Sequence, residues 1–369
     1  MSDAPSRPDQ VDGFPHPREQ DRLIGHADAE QTLLSAYAAG RLHHGWLITG
    51  PRGIGKATLA YRFARFLLAQ GAGGGGLFGP PDSLAVDPAD PTFGQIAAEG
   101  HGNLFVLTRR LNEKARPPSF YTVIRVDEVR ALSPFLAQTA HQPGWRAVIV
   151  DATDDMNVNA QNALLKMLEE PPAETVFLLV SHAPGRLLPT IRSRCRRLAL
   201  SPLTDDQVMD VMTAQCPDMA EDELRALASL GEGSPGRALA LAAQGGLEVY
   251  REMIDLLAGM PKLDAAKLHG LGDRLARKAN EARYRALTDL LDWWLMRLIR
   301  GRAAGHAPAE IVAGEGAVIA RLAAAGSLDQ WIEVWEKVGR LVERADAVNL
   351  DRKAVTLNLF TTLEQAARG

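Results

Sequence analysis

The sequence predicts an α/β domain built on a parallel five-stranded sheet, followed by regions that are helical throughout. Three observations carry this expectation. Between about 45 and 200, short apolar runs alternate with helical patterns, as strands and crossover helices do around a parallel sheet. A glycine-rich turn follows the first apolar run and opens an amphipathic helix. Beyond Leu200 the strand pattern stops, and Ala, Leu, Glu and Arg recur at helical spacing to the end.

The elements follow in order. Residues 1–20 are polar and proline-rich with no apolar core, which predicts a disordered arm, no secretory signal and a cytoplasmic location. Strands are expected at 46–49, 104–108, 147–151, 176–181 and 197–200, within an α/β domain over 21–200. Leu59, Ala60, Phe63, Ala64 and Leu67 share a helix face, as do Ala163, Leu164, Met167 and Leu168 before Pro171 and Pro172 stop that helix. Residues 71–102, with GAGGGG and several prolines, read as a flexible insertion. A turn at 115–119 leads to a short helix carrying Val126, Val129 and Leu132. Ser201 and Pro202 mark a boundary, after which a small helical domain at 201–262 and a longer one at 263–369 are expected.

Composition narrows the function classes. The chain has 369 residues, enough for two or three domains, and is 46% hydrophobic and 23% charged. No run of about 18 apolar residues exists to span a bilayer, so no membrane partner is expected. The two cysteines, Cys195 and Cys216, are too few for a disulfide framework or a four-thiolate zinc site, so no metal residues are assigned. The net charge of −4 argues against gripping nucleic acid over the whole surface and confines any such contact to a patch.

The stretch GPRGIGKAT at 50–58 is a phosphate-cradling loop in the context it requires. Gly50, Gly53 and Gly55 let backbone N–H groups turn toward a phosphate, the helix N-terminus adds positive potential, and Lys56 supplies a point charge. The residue after the lysine, normally Ser or Thr to hold magnesium, is Ala57. Thr58 is one position too far, since one helical residue turns a side chain by about 100°. The bland alternative is a glycine-rich turn without a ligand. In RAVIVDATDD a buried strand delivers Asp151 to its carboxyl end, the place of a metal-binding aspartate, although capping explains an Asp there equally well. The next residue, where an active ATPase of this kind keeps a glutamate, is Ala152, so the base is missing. Asp154 and Asp155 read as solvated loop charges or caps. The cationic run PTIRSRCRR at 189–197 follows the strand that ends at Ser181, and is expected to emerge beyond the nucleotide side of the fold, where an arginine could reach a neighbour's ATP. Trp293, Trp294, Trp331 and Trp335 are expected in helical core, and His43 and His44 in structural roles.

Together these stretches are distinctive. The run NALLKMLEEPPAETVFLLVSHAPGRLLPTIRSRC closely resembles the clamp-loader branch of the AAA+ ATPases, and LIGHADAEQTL, LHHGWLITGPRGIGKATLA and GEGSPGRAL extend the likeness to residue 239. It fades over the C-terminal third, where NLDRKAVTLNLF still fits the family's helical collar. The resemblance implies an ATPase-like domain, a helical lid and an all-helical collar joining a hetero-pentameric ring with gamma/tau-like motor ATPases and a delta-like subunit. Such a ring loads a sliding clamp on primed DNA for DNA polymerase III. It implies that Arg194 is an arginine finger acting in trans, that Ser181 is the sensor 1 position and that Arg237 lies near sensor 2. With Gly50, Gly53, Gly55, Lys56, Thr58 and Asp151, the last two form the candidate nucleotide site. The chain then resembles the family's stator subunits, with ATP or another nucleotide as a possible ligand that is not hydrolysed, in agreement with Ala57 and Ala152. Two departures stand out. Where most relatives carry a four-cysteine zinc module, 71–102 holds no cysteine and implies no zinc; and the glycine loop, lost in many stators, is retained here. Two competing readings are a competent P-loop ATPase in replication or repair, and a free-standing DNA-binding protein, the latter opposed by net charge.

Overall fold

The computed structural model describes residues 7–70, 81–116, 118–137 and 144–368. By packing, the chain forms two units, one of Met1–Asp218 with Gly231–Leu239 and one of Met219–Leu230 with Ala240–Gly369. The division between the two units falls within the 201–262 region.

In the first unit, strands β1 (Gly45–Thr49), β2 (Leu104–Leu107), β5 (Arg146–Val150), β6 (Thr175–Ser181) and β7 (Arg196–Ala199) form one five-stranded sheet, while β3 (Leu111–Asn112) and β4 (Ser119–Phe120) make a small separate hairpin. The order is β2-β5-β6-β1-β7 and every pairing in the large sheet is parallel. Parallel strands are covered on both faces, which is why β1, β5 and β6 read as continuous apolar runs; all five residues of β1 and all seven of β6 are buried. The helices of this unit are α1 (Ala27–Ala38), α2 (Lys56–Ala69), α3 (Pro91–Ala97), α4 (Val126–Arg130), α5 (Leu132–Ala137), α6 (Val158–Glu169), α7 (Pro189–Ser193) and α8 (Asp205–Gln215). Helix α6 buries Ala160, Leu164 and Leu168 at four-residue spacing against a core that includes Val148, Val150, Phe177 and Leu179. Its start is fixed by Asn157, whose side chain accepts from Ala160 N–H.

Two expectations of flexibility do not match the structure. Residues 7–20 are packed rather than disordered: His16 is fully buried and meets the Tyr61 ring edge-on, and its Nε2 lies 3.0 Å from a carboxyl oxygen of Asp9. Behind it the buried Arg65 of α2 donates to Arg18 O at 2.5 Å and Gln20 O at 3.1 Å. The same guanidinium lies 3.8 Å from the centroid of the Phe93 ring, so one cation ties both the N-terminal segment and α3 to α2. Helix α3 itself falls inside the expected insertion 71–102. Asp90 caps it by accepting from Thr92 N–H, and Pro91 pre-sets its first turn. Residues 71–80 lie outside the described residues.

The second unit is helical. Helix α9 (Glu221–Gly231) belongs to it up to Leu230, and the division falls inside α10 (Pro235–Gln244). Then follow α11 (Gly246–Ala258), α12 (Ala265–Leu275), α13 (Glu281–Ala304), α14 (Glu315–Ala325), α15 (Leu328–Val348) and α16 (Arg352–Arg368). Trp294 and Trp331 are fully buried, Trp293 nearly so, and Trp335 is half-buried with its indole N–H on Asp292 at 2.7 Å. The fully buried Glu315 accepts from the Tyr250 hydroxyl at 2.6 Å and Ile311 N–H at 2.8 Å and pairs with Arg297, so its charge is matched.

Candidate functional site

The carboxyl ends of β1, β5 and β6 bring the expected nucleotide residues together. Between β1 and α2, Gly50 and Gly53 hold φ angles of 147° and 77°, which favour glycine. At Gly53 a side chain would also collide with Ser234, whose Oγ stands 2.4 Å from where a Cβ would be. That closeness reflects a lock on the loop: Ser234 Oγ donates to Arg52 O at 2.9 Å, and Gly236 N–H donates to Gly53 O at 2.9 Å. The 231–239 segment is therefore pinned to the loop by one side-chain and one backbone hydrogen bond, and Arg237 pairs with Glu232 at 3.0 Å. Gly55 immediately precedes α2, and Thr58 lies half-buried in its first turn beside the half-buried Ala57.

Lys56 is buried and its ammonium turns back on its own loop, donating to Gly50 O at 2.8 Å and to Pro51 O. Burial pulls its pKa down to about 8, and the charges of Asp151 and Asp154 offset part of that. Asp151 sits at the end of β5, 8% exposed. Burial pushes its carboxyl up to about 7, Asp9 adds to the rise, and Lys56 and Arg52 oppose it. Asp9 belongs to the packed N-terminal segment, whose Pro8 carbonyl also accepts from Arg52 at 3.4 Å. Burial alone would raise the Asp9 carboxyl, but its hydrogen bond and charge pairing with His16 hold it below the ordinary value.

Asp154 departs from the expected solvated charge or helix cap. One carboxylate oxygen accepts from Ser181 Oγ at 2.7 Å, and the other from His182 N–H and, at 3.2 Å, Ala183 N–H. Ser181 is fully buried, so this carboxylate ties the turn after β5 to the end of β6. Burial, with Lys56 and Arg52 nearby, lowers the His182 pKa to about 4 and keeps that ring neutral near pH 7. Asp155 pairs with Arg109 at 3.0 Å.

The arginine run lies elsewhere. It was expected beyond the nucleotide side, but Arg194 sits at the amino ends of the strands: its carbonyl oxygen is 3.3 Å from where a Cβ on Gly45, the first residue of β1, would be. The reason is topological. Strand β7 runs parallel to β1, so after β6 the chain must return through α7 to the opposite edge before β7 can begin. The length of β1 separates Arg194 from its own glycine loop, about 15 Å at the usual rise per residue. Its neighbours disperse: Arg196 lies 5.1 Å from the centroid of the Trp46 ring and Arg197 donates to Thr49 Oγ1 at 3.3 Å.

Comparison with known proteins gives the family. A family model described as DNA polymerase III, delta subunit, matches residues 25–204. The DNA polymerase III subunit delta' of Pseudomonas aeruginosa is 36% identical over 275 residues, 73% of this chain and 76% of the relative. The chain belongs to the delta' family of DNA polymerase III subunits. The delta' subunit of Escherichia coli is 35% identical over 211 residues, covering 57% of this chain and 58% of the relative. A solved DNA polymerase III gamma subunit-related protein from Thermotoga maritima aligns over 91% of this chain and all of its own, at 16% identity and a TM-score of 0.39.

The site tests poorly as a holder of magnesium-bound nucleotide. The glycines and Lys56 suit an anion, but Ala57 supplies no hydroxyl and Ala152 no base. Among the described residues no group of three or more His, Cys, Asp or Glu side chains could hold a metal ion. Nor is any helix among them long and apolar enough to cross a membrane. His43 and His44 stack on one another at 4.4 Å, with His43 Nδ1 also 2.8 Å from Gly45 O.

Proposed function

We propose that this delta' family member is a non-hydrolysing subunit of the DNA polymerase III clamp loader that lends Arg194 to the ATP site of an adjoining motor subunit. The observation that carries the reading is the separation of Arg194 from the chain's own glycine loop, at the other end of β1. An arginine there cannot serve the nucleotide of its own chain, but it can meet a phosphate brought by a neighbour. The altered loop supports the same division, since Ala57 and Ala152 remove two parts that hydrolysis requires. The partners are then gamma/tau-type motor ATPases and a delta-like subunit in a five-membered ring that places a sliding clamp on primed DNA. On this reading Ser181, bonded to Asp154, is the sensor 1 position, and Arg237, paired with Glu232, lies near sensor 2.

The experiment is ATP turnover by the purified chain with magnesium, alone and after addition of the motor subunits. The expected outcome is no turnover alone and a raised rate in the mixture. Turnover by the chain alone that disappears in Lys56→Ala would instead make it an ATPase in its own right.

A further inference from the structure

Arg194 is held by its surroundings at one edge of its guanidinium. Its Nη2 meets Glu169 Oε1 at 2.7 Å, and its Nη1 donates to Thr190 O at 3.2 Å. Glu169 is the last residue of α6, and Thr190 lies in α7, immediately before the arginine. The backbone at this point is fixed as well: Arg194 N–H donates to Ile191 O at 3.1 Å, and Cys195 is buried beside it. A guanidinium has five N–H donors in a rigid plane. With two directed at Glu169 and Thr190, the others are available for an acceptor from outside. The two side chains are 36% and 43% exposed, so the pair is reachable.

We propose that Glu169 is the positioning residue of Arg194: its carboxylate, with the Thr190 carbonyl, sets the plane of the guanidinium so that its remaining N–H edge faces the phosphates of a neighbouring subunit's nucleotide. The proposal rests on the reading that Arg194 acts in trans. A long side chain left alone samples many rotamers, and each must be given up when it docks. One carboxylate contact made beforehand removes much of that search, as outer partners do for metal-ligating histidines. The placement of Glu169 follows from α6. That helix starts beside the Asp151–Asp155 turn at the nucleotide end, and its 12 residues reach the opposite edge, where the side chain of Leu168 packs near Gly45. The rod is buried along Ala160, Leu164 and Leu168, so its last residue is held rigidly. An exposed ion pair of this kind adds little to stability, so its removal is expected to leave folding intact.

The test is steady-state ATP turnover of the reconstituted assembly of this chain with its motor subunits, comparing Glu169→Ala, Glu169→Gln and Arg194→Ala with the natural chain. Glu169→Ala is expected to lower kcat at the adjoining site by about tenfold, with KM for ATP and the elution volume of the assembly unchanged. Glu169→Gln, which keeps an acceptor oxygen in the same place, is expected to recover most of the loss, a rescue that a merely structural role would not give. An unchanged kcat in Glu169→Ala overturns the proposal, and a raised kcat overturns it in favour of a latch that withholds the arginine. If Arg194→Ala is itself without effect, the trans reading fails; if it slows turnover while Glu169→Ala does not, only the positioning role fails.

Discussion

At the carboxyl ends of the strands, the ammonium of Lys56 is satisfied by carbonyls of its own loop and the carboxylate of Asp154 by Ser181, His182 and Ala183. At the amino ends of the same sheet, the Arg194 guanidinium makes two contacts at the surface among the described residues, and its plane keeps donors to offer. One domain thus has a closed end, where Lys56 and Asp154 are matched internally although His182 Nδ1 is buried without a hydrogen-bond partner among the described residues, and an open end, where the charge of Arg194 is partly exposed. On the proposed reading, the difference teaches that a P-loop-like architecture can keep its cradle as a structural joint while an arginine at the opposite edge serves another chain.

Removing Asp154 should break the closed end most severely. Asp154→Ala leaves the fully buried Ser181 hydroxyl and two backbone N–H groups without their acceptor, and a loss of about 2 to 4 kcal/mol is expected in denaturant unfolding. A loss below about 0.5 kcal/mol would mean that the carboxylate is a solvated charge after all.

Asp151 gives a smaller effect with a definite sign. Its pKa in the folded chain, about 7, lies above the unfolded value, so the folded state binds the extra proton and its stability declines as pH rises from about 4 to 7. Asp151→Asn removes that decline, and thermal unfolding should show a gain of roughly 1 to 3 kcal/mol at pH 8 that vanishes near pH 4. The smallest change is expected from Ala57→Ser. Restoring the hydroxyl should tighten magnesium-dependent nucleotide binding by no more than about tenfold. It should create no turnover, since Ala152 still offers no base; turnover in that variant would show that the loop alone had silenced the site.

Much of the sheet was legible because a strand buried on both faces must be apolar throughout, and RAVIV and TVFLLVS state this directly. The glycine loop was legible for a similar local reason, since its spacing is dictated by the turn. What escaped depends on residues distant in the chain. The N-terminal segment has the composition of a disordered arm, and its order comes from His16 against Tyr61 and from Arg65, a cation within a helix pattern that otherwise reads as core. Helix α3 did leave a signal, Asp90 followed by Pro91, beneath the glycine and proline content around it. The hairpin of β3 and β4 is two residues to a strand, too short for any period. Asp154 became a clamp only because β5 and β6 are neighbours, and Arg194 moved to the opposite edge only because β7 is parallel to β1.

The most direct test of the division between the two ends is ATP turnover in an assembly where the site adjoining this chain is the competent one. Arg194→Ala should lower its turnover by about 10³-fold, the usual worth of an arginine supplied in trans, while the assembly still forms. An unchanged rate in a fully formed assembly would contradict the account.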